Sequence, residues 1–196
     1  MGAEIIGMAA SASLLAGWRL YLTALIVGLA MRWGWIALPE QLSGLEILAN
    51  PWVLGVAGAG AVAEFLADKI MLVDSLWDGV HTFLRPVGGA LLSLAVVDPG
   101  EPLGQALVFL MGGGAAFMTH AVKAATRLAV NASPEPFSNI AVSTGEDVAT
   151  AGLLALALAY PVTAAAIALV LLALMIWLLF ALRRFVARLF QRRRAV

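Results

Sequence analysis

Charged side chains stand inside or against long apolar runs throughout this chain. Arg19 interrupts one run. Glu64, Asp68 and Lys69 close a second, His120, Lys123 and Arg127 close another, and Glu146 with Asp147 opens the next. A charge in hydrocarbon costs roughly 2.5–3.5 kcal/mol on insertion scales, so such residues line a protein interior or an aqueous cavity. Gly60, Glu64 and Asp68 recur at i, i+4 and i+8, which makes an acidic helix face. His120, Lys123 and Arg127 recur at i, i+3 and i+7, which makes a basic one. Flanking glycines (Gly55, Gly58 and Gly60; Gly112, Gly113 and Gly114) would let the two backbones approach. The packed faces would form either a gated polar pocket or an ion-paired seam that only fixes helix register. Proton coupling would fall to Glu64 or His120, whose titration burial shifts.

The remaining candidates each have a bland and a chemical reading. Arg19, with Thr23 one turn on, is either paired to a carboxylate or contacts an anion or headgroup. Arg85-Pro86 predicts a guanidinium at a helix N-terminus, where dipole and cation together suit an anion. Ser143-x-x-Glu146 fits a capping box, so Glu146 and Asp147 read first as dipole-matched carboxylates of a first turn. Ser75-x-x-Asp78 likewise predicts a short surface helix. On it Asp74 and Asp78, at i and i+4, either bind a cation or face water. Asn139 joins the candidate solute- or ion-binding set. The absence of cysteine excludes disulfides and thiolate chemistry, and two histidines, His81 and His120, disfavour a multi-His metal centre. No nucleophile–base pair, phosphate loop, zinc motif or dinucleotide fingerprint is present. The expectation is a non-enzyme with no cofactor and no metal.

The elements that position these residues follow from composition. Hydrophobic residues make up 62% of the chain and charged ones 12%, against about 25% charged in soluble domains. Mean hydropathy is +0.96. This is membrane composition, and 196 residues suit one domain. The predicted class is an all-α polytopic membrane protein with about six transmembrane helices over 1–186 and a basic tail over 187–196. The predicted spans are 5–31, 51–70, 80–97, 103–128, 143–160 and 162–186. Pro86 stands near the start of the third, which would break or tilt it. Ala10-Ser11-Ala12 loosely resembles a processing site, but the apolar run continues past it, so the first helix is read as retained. Asp98–Pro102 reads as a turn and Ser133–Pro136 as a rigid connector, plug or lid.

Six of the twelve basic residues lie between Arg183 and Arg194. That cluster is too short for a nucleic-acid arm and reads as a positive-inside anchor. It predicts the bacterial inner membrane with both termini cytoplasmic, and Trp33, Trp35 and Trp52 in an outer aromatic belt. Gly58-x-Gly60-Ala61 with Lys69 matches Gly112-x-Gly114-Ala115 with Lys123, which suggests a parallel repeat of helices 2–3 and 4–5.

Several strings carry a family resemblance: Ala63-Glu64 through Asp68-Lys69, Val73-Asp74 through Trp77-Asp78, and Arg85-Pro86-Val-Gly88-Gly89-Ala90. His120-Ala-Val-Lys123, Arg127, Asn131 through Pro136, Ser138-Asn139 and Glu146-Asp147 extend it. The chain resembles the uncharacterised bacterial membrane-protein family called domain of unknown function 4126. That resemblance implies an integral membrane protein and supplies no activity. The leading expectation is a transporter or channel for a small solute or ion. The alternatives are a lipid-handling protein and a structural assembly factor. Membrane lipids and the solute are the expected partners, and a homo-oligomer is compatible with each reading.

Overall fold

A computed structural model describes residues 2–35, 46–94, 101–131 and 137–193. The described chain is all-α. Its seven helices are α1 (Gly2–Trp18), α2 (Leu20–Arg32), α3 (Pro51–Ala67), α4 (Met71–Leu94), α5 (Pro102–Asn131), α6 (Phe137–Ala159) and α7 (Pro161–Arg193). Proline opens α3, α5 and α7, where its fixed φ suits the first turn and its missing N–H costs nothing. Asn50 caps α3 by accepting from the Trp52 amide at 2.9 Å. The 98–100 part of the predicted turn and the 133–136 connector lie outside the described residues.

The single span expected over 5–31 is not formed. Arg19 leaves the helical region at φ −142° and ψ 82°, and α2 turns back along α1. Leu22 and Ile26 pack against the cluster of Leu15 and Trp18, while Met31 and Leu48 pack against that of Ala12, Ala16 and Leu92. The end of α2 therefore lies beside the first half of α1, and Arg19 is the tip of a helical hairpin. Gly7 lies against Pro161 and Val162, and the Ser11 hydroxyl donates to the Pro161 carbonyl at 3.0 Å. The start of α1 is thus at the same end of the bundle as the start of α7.

Three other expectations are corrected. No surface helix begins at Ser75: α4 is continuous from Met71 through Pro86 to Leu94, and the Ser75 hydroxyl bonds back to the Met71 carbonyl at 3.1 Å. Pro86 sits inside α4, where only the Thr82 carbonyl loses its helical donor. Ser143 and Glu146 do not form a cap, because α6 already begins at Phe137. Lys69 lies in the α3–α4 turn while Lys123 lies inside α5, so the glycine-lysine repeat does not carry into equivalent positions.

The glycines pack other partners than expected. A Cβ on Gly112 would strike Ser93 and come within 2.8 Å of the Gly89 carbonyl oxygen. One on Gly17 would strike Thr119 and the Ala116 carbonyl. Glycines thus seat α1 and α4 directly on α5. On α3, a Cβ on Gly60 would strike the Tyr21 ring, one on Gly58 would just reach Leu25, and one on Gly55 would meet nothing within 4 Å, so these glycines serve α2 and not α5.

Polar and charged side chains share the interior with the apolar clusters. Among the described residues, the four largest fully buried side chains are Arg19, Arg85, Arg127 and Lys123. Large apolar residues stand outside instead: Trp52 is 85% exposed, Phe83 77% and Phe137 76%. Among the described residues, α5 and α6 are long and apolar enough to cross a membrane.

Candidate functional site

Five elements bring the charged residues into one connected network. It begins where α3 faces α4. Glu64 Oε1 accepts from Arg85 Nη2 at 2.7 Å, and Arg85 Nη1 donates to Asp78 Oδ1 at 3.1 Å. Arg85 is therefore mid-helix with its fork filled by two carboxylates, not free at a helix N-terminus. The same Nη1 donates to His120 Nδ1 at 2.6 Å. A guanidinium has no acceptor, so His120 Nδ1 carries no proton and Nε2–H donates to the Thr82 hydroxyl at 3.0 Å. Thr82 in turn donates to the Asp78 carbonyl at 2.9 Å. This pattern fixes His120 as the neutral Nε2–H tautomer.

Lys123 continues the chain. It lies 4.0 Å from Asp78 Oδ1 and 2.9 Å from Asp68 Oδ2. It also lies 3.4 Å from the Trp18 carbonyl oxygen, which the break at Arg19 frees. Arg19 reaches from the hairpin tip to Asp68 Oδ2 at 2.6 Å and to Asp147 Oδ1 at 2.6 Å. Asp147 Oδ2 then accepts from Lys69 at 2.7 Å, and Lys69 also donates to the Ser143 hydroxyl. A branch runs down α5. Arg127 Nε bonds both oxygens of Asp74 at 3.1 Å, and Asn131 Nδ2 donates to Asp74 Oδ2 at 2.7 Å. Arg127 also donates to the Asp68 carbonyl, and Asn139 Nδ2 donates to the same oxygen at 3.2 Å.

Charges therefore alternate along the path Glu64, Arg85, Asp78, Lys123, Asp68, Arg19, Asp147, Lys69. The two faces expected to meet do so only at Asp68, whose carboxylate pairs with Lys123 and whose carbonyl accepts from Arg127, while Glu64 turns to α4 instead. Asp74 and Asp78 are buried at 0% and 5% exposure, so they face the core and not water. Asn139, Glu146 and Asp147 project from α6 into the same network. Every candidate named from sequence lies in it.

Several contributors escaped the sequence reading. His81 stacks on Trp77 with ring centroids 4.4 Å apart, and its Nε2 meets the Tyr21 hydroxyl at 3.1 Å. Thr82, Asn131 and Ser143 supply neutral hydrogen bonds. The recurrence of Asp74, Asp78, His81, Thr82 and Arg85 along one face of a long helix is the signal that would have found His81 and Thr82.

A cleft of about 200 Å³ between α4 and α5 reaches the network and is lined by Ser75, Asp78, Thr82 and Arg127 among others. Asp78 Oδ2 receives no hydrogen bond. At the other end the path approaches the surface, with Asp147 21% and Lys69 20% exposed. Among the described residues no group of three or more His, Cys, Asp or Glu could hold a metal ion.

Fold and site together define an all-helical protein with a network of charged side chains buried among its helices and many large apolar residues on its surface. Residues 6–181 match the family described as a domain of unknown function (DUF4126), and the chain belongs to that family. No curated protein and no solved structure matches it.

Proposed function

We propose that this chain is an integral protein of the bacterial inner membrane that moves a small ion or solute through its charged core. The membrane reading rests on the reversed distribution of polarity. Buried Arg19, Arg85, Lys123 and Arg127 beneath exposed Trp52, Phe83 and Phe137 suit a hydrocarbon surround and no aqueous one. The break at Arg19 fits the same reading, since irregular backbone at membrane depth is tolerated where protein buries it. The α1–α2 hairpin is then re-entrant, and α3 to α7 supply five crossings in place of six spans. With the arginine tail cytoplasmic, the N-terminus lies on the opposite face. Cysteine labelling of intact cells by an impermeant reagent tests this in a chain that has no cysteine of its own. Ala3→Cys and Trp35→Cys should react and Ile70→Cys should not. Protection of Ala3→Cys with reaction of Trp35→Cys would restore a straight first span.

The observation that carries transport is the charge balance. Five cations, Arg19, Lys69, Arg85, Lys123 and Arg127, meet six carboxylates, Glu64, Asp68, Asp74, Asp78, Glu146 and Asp147. A purely structural seam has no use for an uncompensated buried charge, which costs several kcal/mol. A site that exchanges an ion has. Purified protein in liposomes should pass protons or small cations above the empty-liposome rate, and Asp147→Asn, at the accessible end, should slow that flux in folded protein. No flux across ions and small metabolites would overturn the reading. One observation favours lipid handling instead: an apolar cavity of about 310 Å³ between α1, α5 and α7, lined by Ala10, Leu14, Met111 and Leu169 among others. That alternative predicts that a labelled phospholipid flips and that Ala115→Trp, which fills the cavity, stops it.

A further inference from the structure

The surplus carboxylate has an address. Glu64, Asp68 and Asp78 each leave one oxygen without a hydrogen bond but pair the other, and Asp74 and Asp147 pair both. Of the six described carboxylates in the network, Glu146 alone has neither oxygen hydrogen-bonded. Its side chain is only 10% exposed, and its nearest cation, Arg19 Nη2, stops 3.9 Å away because Asp147 holds that nitrogen at 2.6 Å. An ionised carboxylate with two bare oxygens is among the costliest groups to bury.

We infer that Glu146 is the proton-loading residue of this core and that it carries a proton in the arrangement described. The groups that act on it come from every neighbouring element. Arg19 at the hairpin tip and Lys123 and Arg127 on α5 attract a negative charge there, and Asp68 after α3 repels one. On its own helix Asp147 is already committed to Arg19 and Lys69. A metal ion is a poor occupant. Hard cations take six or more oxygens, whereas this position is ringed mainly by cationic side chains. His120 cannot hold the proton, since its Nδ1 accepts from Arg85. His81 could balance the sum, but it sits beside Glu64 at the far end and would leave Glu146 bare.

Loading couples to the fold through Arg19. Protonated Glu146 leaves the guanidinium on Asp68 and Asp147. Once deprotonated, Glu146 competes for it across the 3.9 Å gap, so the α1–α2 tip is the part that senses the proton. Arg19 is here a positioning residue. The inference deepens the transport reading by naming the proton as the coupled species, and it rests on that reading for its purpose but not for its test.

Infrared titration of the purified protein reads the proton directly. Wild type should show a carboxylic-acid C=O band at neutral pH that fades as pH rises. Glu146→Gln should lack the band and Glu64→Gln should keep it. A hydrophobic carbodiimide, which adds only to a protonated carboxyl, supplies a measurement on the unaltered chain. Peptide mapping should place the adduct on Glu146, with labelling that declines as pH rises. Absence of the band in wild type, its persistence in Glu146→Gln, or an adduct on another carboxylate would overturn the assignment. Flux assays are separate: a protonated Glu146 in a protein that moves nothing would refute transport and leave the proton site standing.

Discussion

The two ends of the charge path use the same side-chain types and differ in access. At the Glu64–Arg85–Asp78 end the side chains are 0–6% exposed, and Arg85 donates to three acceptors, Glu64, Asp78 and His120. At the Glu146–Asp147–Lys69 end exposure rises to 10–21%, and one carboxylate is left without a donor. Burial makes an ion pair rigid, because neither member can leave without stranding the other in low dielectric. Partial access makes it exchangeable, because water can replace a partner at small cost. Under the proposed transport reading, the tightly paired end holds the helices in register, with the α4–α5 cleft beside Asp78 and Thr82, and the more exposed Asp147–Lys69 end admits the ion. On that reading the seam and the transport site, which compete as readings of the sequence, occupy different stretches of one network.

The largest effect should come from the tightly paired end. Arg85→Met strands Glu64 and Asp78 and takes the donor from His120 Nδ1. Removing one partner of a buried pair costs about 3–5 kcal/mol in soluble proteins. A thermal unfolding scan in detergent should show that loss. Adding Glu64→Gln should recover part of it, because the neutral amide no longer needs a guanidinium. Strictly additive losses in the double-mutant cycle would mean that the two residues do not share the pair seen here. By contrast Glu146→Gln should leave stability unchanged within about 0.5 kcal/mol, since the amide is close in shape and charge to the protonated acid. It should flatten the pH dependence of flux. An Arg85-sized loss of stability at Glu146 would erase the distinction between the ends.

Much of the network was legible because ionisable residues in apolar runs have few bland explanations, and helical spacing already gathered Glu64 with Asp68 and His120 with Lys123 and Arg127. Partner choice was not legible. Faces at one depth suggest direct packing of α3 on α5, yet α4 comes between them, because Gly89 and Gly112 let α4 approach α5 more closely than α3 can. The α4 start was misread for a local reason: Ser75-x-x-Asp78 has capping chemistry, but a hydroxyl inside a helix can instead bond back to the carbonyl four residues earlier, as Ser75 does to Met71. The cap at Ser143 and Glu146 was misread because α6 already begins at Phe137, so Ser143 lies inside the helix, where its hydroxyl accepts from Lys69. The reversal at Arg19 left no turn signature at all. No glycine or proline adjoins it, apart from Gly17 two residues before, and the apolar run continues on both sides. What bends the chain is tertiary: Asp68 and Asp147 hold the guanidinium and Lys123 lies against the freed Trp18 carbonyl. None of these is visible from the neighbourhood of residue 19.

The smallest predicted effect is at Lys69, and it sharpens the contrast most. Lys69 makes three contacts: a 2.7 Å ion pair with Asp147, a hydrogen bond to Ser143, and a cation–π contact 4.3 Å above the Phe65 ring. A count of interactions would rank it beside Arg85. Access argues otherwise. Both members of the pair are about one-fifth exposed, so water can solvate what the substitution leaves behind, and Arg19 still holds the other Asp147 oxygen. Pairs of this kind contribute about 0.2–1 kcal/mol, and a partly exposed cation–π contact adds a similar amount. Lys69→Gln should therefore cost about 1 kcal/mol, and raising ionic strength should shrink its difference from wild type, because screening acts on accessible pairs. The Arg85→Met deficit should not move with salt. If Lys69→Gln proves as costly as Arg85→Met, or as insensitive to salt, the outer end is as closed as the inner one and no entry for an ion remains there.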